Sequence, residues 1–213
     1  SILFNIDIEG PLTKDKTAVL RVFAKMFYNH CGFYGDDLKI AKLERFIEKQ
    51  GKTQQFREAF EKVNGAPWTE TRDSFAFFED DIVSVLQSTL GMSEQAARNW
   101  FNGEETNELS IAQLVADIQE YVDGKGKDFR LLFMVDEVGQ YIGDDGDLMI
   151  NLQSLVEEIG IRCHGKVWVM VTSQEAIDSV VHITGNDFSK IQGRFNTRLS
   201  LSSSSVDEVI KKR

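Results

Sequence analysis

An apolar run that ends in two acidic residues is the segment of this sequence with the clearest potential for chemistry. The run covers residues 131–135 and is followed by Asp136 and Glu137. This is the Walker B pattern, in which a buried strand delivers carboxylates at its C-terminal end, where parallel sheets bind ligands. There Asp136 would hold Mg²⁺, directly or through water, and Glu137 would polarise the attacking water. Many buried strands end in solvated acids, so the pattern needs support from its surroundings.

Two further segments supply the polar groups that such a site needs. A second apolar run, Val167–Val171, ends in Thr172 and Ser173, which fits a sensor-1 position beside a γ-phosphate and the catalytic water. Arg194 and Arg198 flank the start of the last predicted strand, where an arginine finger would neutralise charge on a phosphoryl group in a neighbouring subunit. The alternative for both arginines is a surface or ion-paired role. The sequence therefore predicts a nucleotide-hydrolysing site that combines carboxylates, hydroxyls and one arginine.

The sequence lacks the loop that would bind the phosphates. Residues 160–167 come close to the pattern G-x4-G-K-[ST], but Val167 has no hydroxyl group for Mg²⁺. The segment also precedes a strand, whereas a P-loop follows a strand and opens a helix. We interpret it as a helix-to-strand turn. ATP and Mg²⁺ are therefore expected to bind only in a longer protein that contains a P-loop, and tight ATP binding by these 213 residues alone is not expected.

The elements that must position these residues follow from hydrophobic periodicity. Short apolar runs predict strands at 2–8, 131–135 and 167–171, and Leu199 and Leu201 mark a last short strand. Helical periodicity fills most of 14–122 and the intervals between the later strands. Alternation of strands and helices is typical of a parallel sheet, so the predicted fold class is α/β with a large all-helical insertion.

Composition excludes several functional classes. The net charge of −10 argues against a general polyanion-binding surface, because phosphate contacts need clustered Lys and Arg. No apolar run approaches the ~18 residues of a membrane span. Cys31 and Cys163 have no metal-ligand spacing, which favours free thiols in a reducing cytoplasm. The chain begins in a predicted strand and ends in a predicted helix, so we expect it to be part of a longer protein.

Long stretches of the sequence closely resemble the large P-loop ATPase of BREX phage-exclusion systems, the BrxC/PglY type. In the second half the resemblance is carried by Phe129–Tyr141, Leu148–Gly160, Val167–Asp178 and Asp187–Ile210. In the first half it is carried by Ile2–Asp7, Cys31–Gly35 and Phe56–Trp68. Nearly the whole chain is covered, and strings of this length are far more specific than one short motif.

The resemblance implies an internal piece of an AAA+-like core whose P-loop lies upstream of Ser1. In the usual strand order 5-1-4-3-2, residues 2–8 would be strand 2, residues 130–136 strand 3, residues 166–172 strand 4 and residues 197–202 strand 5. Strand 1 would be missing. The implied domains are a partial core at 1–10 and 127–203, a helical insertion at 11–126 and the start of a lid helix at 204–213. Because strand 1 normally separates strands 4 and 5, strand 5 is expected to be displaced or to pair with another chain.

The resemblance also implies a cellular setting. The full-length protein would be a cytoplasmic homo-oligomer that works with a methyltransferase and other BREX components in ATP-dependent defence against phage DNA. Contact with DNA would involve regions outside this chain, and no membrane is implied.

Two other functions fit parts of the sequence. Residues 4–13 resemble the first motif of haloacid-dehalogenase-type phosphatases, with Asp7 as nucleophile and Glu9 as general acid. Thr172 or Ser173, and then Lys190, would have to follow, but the acidic pair at 136–137 comes too early for the late acids of that class. A non-enzymatic scaffold is the other alternative. It would be supported if aromatic residues of the helical stretch were exposed, although such residues are more often core: Tyr28, Phe33, Tyr34, Trp68 and Trp100.

Overall fold

The computed structural model describes residues 1–11, 13–102 and 109–173, together with Phe195, Thr197 and Leu199. This part of the chain is a mixed α/β fold, mostly helical, with a small parallel sheet. The strands are β1 (Ile2–Asn5), β2 (Leu131–Asp136) and β3 (Val167–Val171). The helices before β2 are α1 (Ile6–Glu9), α2 (Ala18–His30), α3 (Leu38–Lys49), α4 (Thr53–Asn64), α5 (Trp68–Thr71), a 3₁₀ helix (Arg72–Phe77), α6 (Glu79–Leu90), α7 (Glu94–Asn102) and α8 (Ile111–Gly124). The helices after β2 are α9 (Val138–Ile142) and α10 (Gly146–Arg162).

The sheet has the order β1-β2-β3, and both pairs are parallel. The predicted parallel pairing of these three strands is confirmed. The prediction that the first strand continues to residue 8 is wrong, because the side chain of Asn5 ends the strand by capping α1. Its Oδ1 atom accepts hydrogen bonds from the backbone amides of Asp7 at 2.9 Å and Ile8 at 3.2 Å.

One face of the sheet is covered by α2, α8 and α10. Right-handed crossovers that run in one direction along a sheet place their helices on the same face, which explains this one-sided arrangement. The inward residues alternate along the strands and share one hydrophobic core with the three helices. These strand residues are Ile2, Phe4, Leu131, Phe133, Val135 and Val167. Of the helices in the predicted insertion at 11–126, α2 therefore packs directly on the sheet, and α8 contributes to the same core.

A second hydrophobic core lies among α3, α4, α5, α6 and α7. We call this part of the chain, residues 38–102, the helical lobe. Its largest buried side chains are Phe56, Phe60 and Trp68, whose rings contact one another. The lobe is joined to the sheet-bearing part by Arg45 of α3, which forms ion pairs with Asp117 and Glu120 of α8.

The opposite face of the sheet is apolar and exposed. Leu3 is 68% exposed and Trp168 is 64% exposed. Met170 is about half-exposed, and Leu132 and Met134 are partly buried. The strand register aligns Leu3 with Met134 and Met134 with Met170, so these side chains form one continuous surface. We call the surface formed by these five residues the open face.

Several predicted elements lie outside the described residues. They include the lid helix at 204–213 and most of the strand at 197–202. Of that strand only Thr197 and Leu199 are described; neither lies in a strand, and Leu199 is exposed. Within the described part of the chain, every helix is too short or too polar to cross a bilayer.

Candidate active site

The carboxyl ends of the three strands bring three polar residues into one row. Asn5 of β1 is paired in register with Asp136 of β2. Thr172 directly follows β3, and its backbone amide donates to the carbonyl of Val135 at 2.9 Å, which extends the β2–β3 pairing by one residue. The sequence placed Asp136 and Thr172 at strand ends, and the structure brings them together at the carboxyl edge of a parallel sheet, where such sheets bind ligands.

Asp136, Glu137 and Thr172 are directly linked by hydrogen bonds. The hydroxyl of Thr172 donates to Oδ1 of Asp136 in a short hydrogen bond. The backbone amide of Glu137 donates to Oδ1 of Asp136 at 3.1 Å and to Oγ1 of Thr172 at 3.3 Å. The backbone amide of Val138 donates to the carbonyl of Thr172 at 3.0 Å. Thr172 therefore fixes the turn that leaves β2 through both its side chain and its backbone.

Glu137 has an unusual backbone conformation. Its φ of 60° and ψ of 30° are left-handed, a conformation that costs a non-glycine residue roughly 1–3 kcal/mol. The surrounding hydrogen bonds over-determine the turn and maintain it. The result is that Glu137 stands at the start of α9, immediately after the strand that carries Asp136.

Asn5 is the site residue that sequence reasoning missed. Its Nδ2 atom donates to Oε2 of Glu137 at 2.5 Å, across 132 positions of sequence. Because its Oδ1 atom already accepts from two amides of α1, the orientation of the side-chain amide is fixed and its donor faces Glu137. The signal in the sequence was an asparagine after an apolar run, which is a helix N-cap residue as well as a strand-end residue.

Of the other predicted catalytic residues, the structure describes only Ser173. Ser173 has a buried hydroxyl that makes no hydrogen bond among the described residues, so the structure gives it no partner at the site. Arg194 and Arg198 lie outside the described residues. The role of an arginine finger stays a prediction for both.

The donor atoms at the strand ends suit a hard cation. Asp136 offers a carboxylate and Thr172 a hydroxyl, and Mg²⁺ prefers oxygen ligands. The described residues contain no group of three or more His, Cys, Asp or Glu side chains that could hold a metal ion together. Magnesium commonly binds one or two carboxylates together with substrate phosphates and water, and Asp136 could supply one such carboxylate.

The phosphatase alternative requires Asp7 at the end of the first strand, and the structure places Asp7 elsewhere. Asp7 lies in the first turn of α1, two residues beyond the end of β1. Its carboxylate is 3.9 Å from the ammonium group of Lys14. Glu9 forms an ion pair with Lys25 at 2.8 Å. The strand-end position that a nucleophile would need is occupied by Asn5, whose amide cannot attack a phosphoryl group.

The aromatic residues that would have supported a scaffold surface are core residues. Three of them are buried and the other two pack, partly buried, against the core of the helical lobe. The buried ones are Tyr28, Phe33 and Trp68, and the partly buried ones are Tyr34 and Trp100. The scaffold function therefore receives no support from these side chains.

Comparison of the chain with known proteins finds no family model that matches it and no matching solved structure.

Proposed function

We propose that this chain is the Walker B-bearing part of an AAA+-type ATPase of the BREX phage-defence class. The observation that carries the proposal is the joining of Asp136, Glu137 and Thr172 at the carboxyl edge of a parallel sheet. Adjacent acids at a strand end are common, but a hydroxyl from the neighbouring strand that binds the first acid is a more specific arrangement. The long sequence resemblance to BREX ATPases supplies the family and the setting: a cytoplasmic homo-oligomer acting with other BREX components.

Each residue of the site has a separate role in this mechanism. Asp136 would hold Mg²⁺, which when bound with ATP neutralises charge on the phosphate oxygens. Glu137 accepts a proton from the attacking water, and Thr172 keeps Asp136 and the turn in place. The amide of Asn5 donates to one carboxylate oxygen of Glu137 and so helps to orient the carboxylate toward the water. An arginine finger, either Arg194 or Arg198, would act from a neighbouring subunit.

The open face supports the proposal that a strand–loop–helix unit completes this site. Parallel sheets are normally covered on both faces, and here the described residues cover one. A further parallel strand could pair with the edge of β3 that no described strand occupies and connect onward to β1. The right-handed crossover from that strand would lay its helix on the open face, with the helix N-terminus at the carboxyl edge beside Asp136. A P-loop has this order of strand, loop and helix N-terminus, and it supplies the phosphate-binding amides that this chain lacks.

ATP hydrolysis by the intact protein tests the proposal. Glu137→Gln keeps the shape of the side chain but removes the base, so we expect kcat to fall by about 100-fold or more while ATP is still bound. Asp144→Asn is the matched control, because Asp144 is an exposed acid of the turn after α9. Unchanged turnover in Glu137→Gln would remove the assigned catalyst and with it the proposed function.

Two further variants separate the alternatives. Asp7→Asn should leave ATP hydrolysis intact, and a phosphatase activity that disappears in Asp7→Asn would instead support the haloacid-dehalogenase mechanism. The isolated chain 1–213 should show no measurable ATP binding in calorimetry. Tight binding by the isolated chain would contradict the need for a P-loop from elsewhere.

A further inference from the structure

The short helix that follows Glu137 is contacted at both ends by one segment, which consists of the end of β1 and the connection from it to α2. At the start of α9, Asn5 binds the side chain of Glu137. At its end, the ammonium group of Lys14 donates to the carbonyl oxygen of Tyr141 at 2.8 Å. The same ammonium group lies 4.0 Å from the centre of the Tyr141 ring. A cation placed there satisfies a carbonyl at the C-terminal end of the helix and binds the aromatic face.

Gly10 brings this segment into close contact with Tyr141. A Cβ atom at position 10 would lie 2.6 Å from Cε2 of Tyr141 and 2.7 Å from the backbone oxygen of Ile6. Neither neighbour can move freely, since one is backbone and the other is a ring that is 2% exposed. Glycine is therefore required for the segment to pass over the ring at this distance.

The ring face of Tyr141 receives the Lys14 ammonium group, while the ring edge and the hydroxyl oxygen both lie against Gly10, where a Cβ atom would be 2.7 Å from that oxygen. The hydroxyl is buried and has no hydrogen-bond partner among the described residues. Burial raises the pKa of this phenol, so the group stays neutral at physiological pH. Removing the hydroxyl should cost little, whereas removing the ring would remove the surface on which Lys14 and Gly10 rest.

We propose that Gly10, Lys14 and Tyr141 form a clamp that fixes α9 and, through it, the orientation of the Glu137 carboxylate. These three are positioning residues, and the proposal rests on the proposed function for its effect on catalysis. A helix of five residues is far too short to be stable by itself, because helix nucleation is unfavourable. The left-handed conformation of Glu137 likewise persists only where its surroundings hold it. Without the clamp, α9 should open locally and Glu137 should leave this conformation.

Hydrogen exchange of the chain 1–213 tests the structural half of the proposal. The reporters are the α9 amides of Tyr141 and Gly143, which bond to the carbonyls of Glu137 and Gly139. Lys14→Met keeps the side-chain length but removes the charge, and we expect exchange at these amides to rise roughly tenfold. Lys16→Met, two residues along the same exposed segment, should leave exchange unchanged. Tyr141→Phe keeps the ring and should also leave exchange unchanged.

ATP hydrolysis by the intact protein tests the catalytic half. Lys14→Met should lower kcat roughly tenfold and leave KM for ATP within about twofold, because substrate contacts are retained. In the Glu137→Gln background it should cause no further loss, since its effect passes through that carboxylate. A general structural defect would instead lower kcat in both backgrounds.

The outcomes separate this proposal from the one on which it rests. Equal hydrogen exchange at the Tyr141 and Gly143 amides in Lys14→Met and Lys16→Met would overturn the clamp, whether or not the intact protein hydrolyses ATP. An exchange effect of Lys14→Met without any Glu137-dependent hydrolysis would support the clamp and overturn the proposed function. If hydrolysis depends on Glu137 but kcat is unchanged in Lys14→Met, the positioning role would be overturned.

Discussion

A single hydroxyl group organises the acidic pair. Thr172 donates to Asp136 and accepts from the backbone amide of Glu137, so one side chain contacts both residues to which chemistry is assigned. The carboxylate of Asp136 accepts a second hydrogen bond from that same amide. Because the three groups share their hydrogen bonds, loss of the Thr172 hydroxyl should affect the turn more than loss of an ordinary exposed threonine would.

Thr172→Val should destabilise the chain, and Thr172→Ser should not. Valine keeps the shape of threonine but can neither donate to Asp136 nor accept from Glu137. We expect the free energy of unfolding to fall by about 1 kcal/mol, a modest loss because the site is open to water. Serine retains the hydroxyl and should stay within about 0.5 kcal/mol of wild type. Urea unfolding of the chain 1–213 measures both, and equal losses for the two variants would show that the hydroxyl does not hold the turn.

The sequence predicts two of the site residues at strand ends, Asp136 and Thr172. It does not predict the third, Asn5, which ends its strand by capping a helix. Asp136 and Thr172 follow unbroken apolar runs, so their positions follow directly from the pattern. Asn5 stands inside an alternation, Phe4-Asn5-Ile6-Asp7-Ile8, that continues to match a strand beyond the residue where the strand ends. The hydrogen bonds by which Asn5 caps α1 outweigh the strand periodicity. A pattern of apolar residues alone does not show which of these two tendencies wins.

The sequence predicts where helices begin, but it does not predict which element each helix packs against. A serine just before a stretch with helical periodicity predicts an N-cap at Ser93 and at Ser110. Both caps are confirmed, since each serine side chain accepts from a backbone amide three residues on. Between residues 127 and 173, the predicted order of strand, helix and strand also matches the structure. Helical periodicity shows that α2 and α8 have an apolar side, but it does not show that this side meets the sheet instead of the helical lobe. That information lies in contacts between residues distant in sequence, such as Phe23 with Phe4 and Phe133.

The junction between α3 and α8 depends on a buried carboxylate. Asp117 is 4% exposed and accepts hydrogen bonds from the hydroxyl of Tyr28 at 2.7 Å and from Gln113 at 2.9 Å. It also forms an ion pair with Arg45, whose side chain is 15% exposed. Glu120 pairs with the same arginine from a site that is 54% exposed, and it therefore provides a natural comparison.

Asp117→Ala should be severely destabilising and Glu120→Ala should not. Removing the buried carboxylate takes away the acceptor of the Tyr28 hydroxyl and leaves the largely buried Arg45 with only the exposed Glu120, so we expect a loss of about 3 kcal/mol or more. An exposed ion pair contributes little, so Glu120→Ala should cost less than about 1 kcal/mol. Thermal and urea unfolding of the two variants provide the comparison. If the two losses were equal, the junction would depend on its exposed charges and not on the buried network.

At the scale of the whole molecule, the described residues build one covered face and leave the other bare. The three strands follow one another in space as they do in sequence, so their crossovers cover the same side of the sheet. The bare side is apolar and ends in the row that carries Asp136 and Thr172. We propose that one strand–loop–helix unit both covers this face and completes the phosphate-binding site.

Leu3→Ala and Phe4→Ala compare the two faces at successive positions of one strand. Phe4 is 5% exposed and packs edge-on against Phe23, so its truncation should cost about 3–5 kcal/mol in the chain 1–213. Leu3 is 68% exposed, and its truncation should cost less than about 0.5 kcal/mol there. In the intact protein, if a helix covers the open face, Leu3→Ala should become a core substitution and cost about 2 kcal/mol or more. Urea unfolding of both variants, in the chain 1–213 and in the intact protein, gives the comparison. If Leu3→Ala costs equally little in the intact protein, the open face is not covered there. The proposed place for the P-loop helix would then be removed.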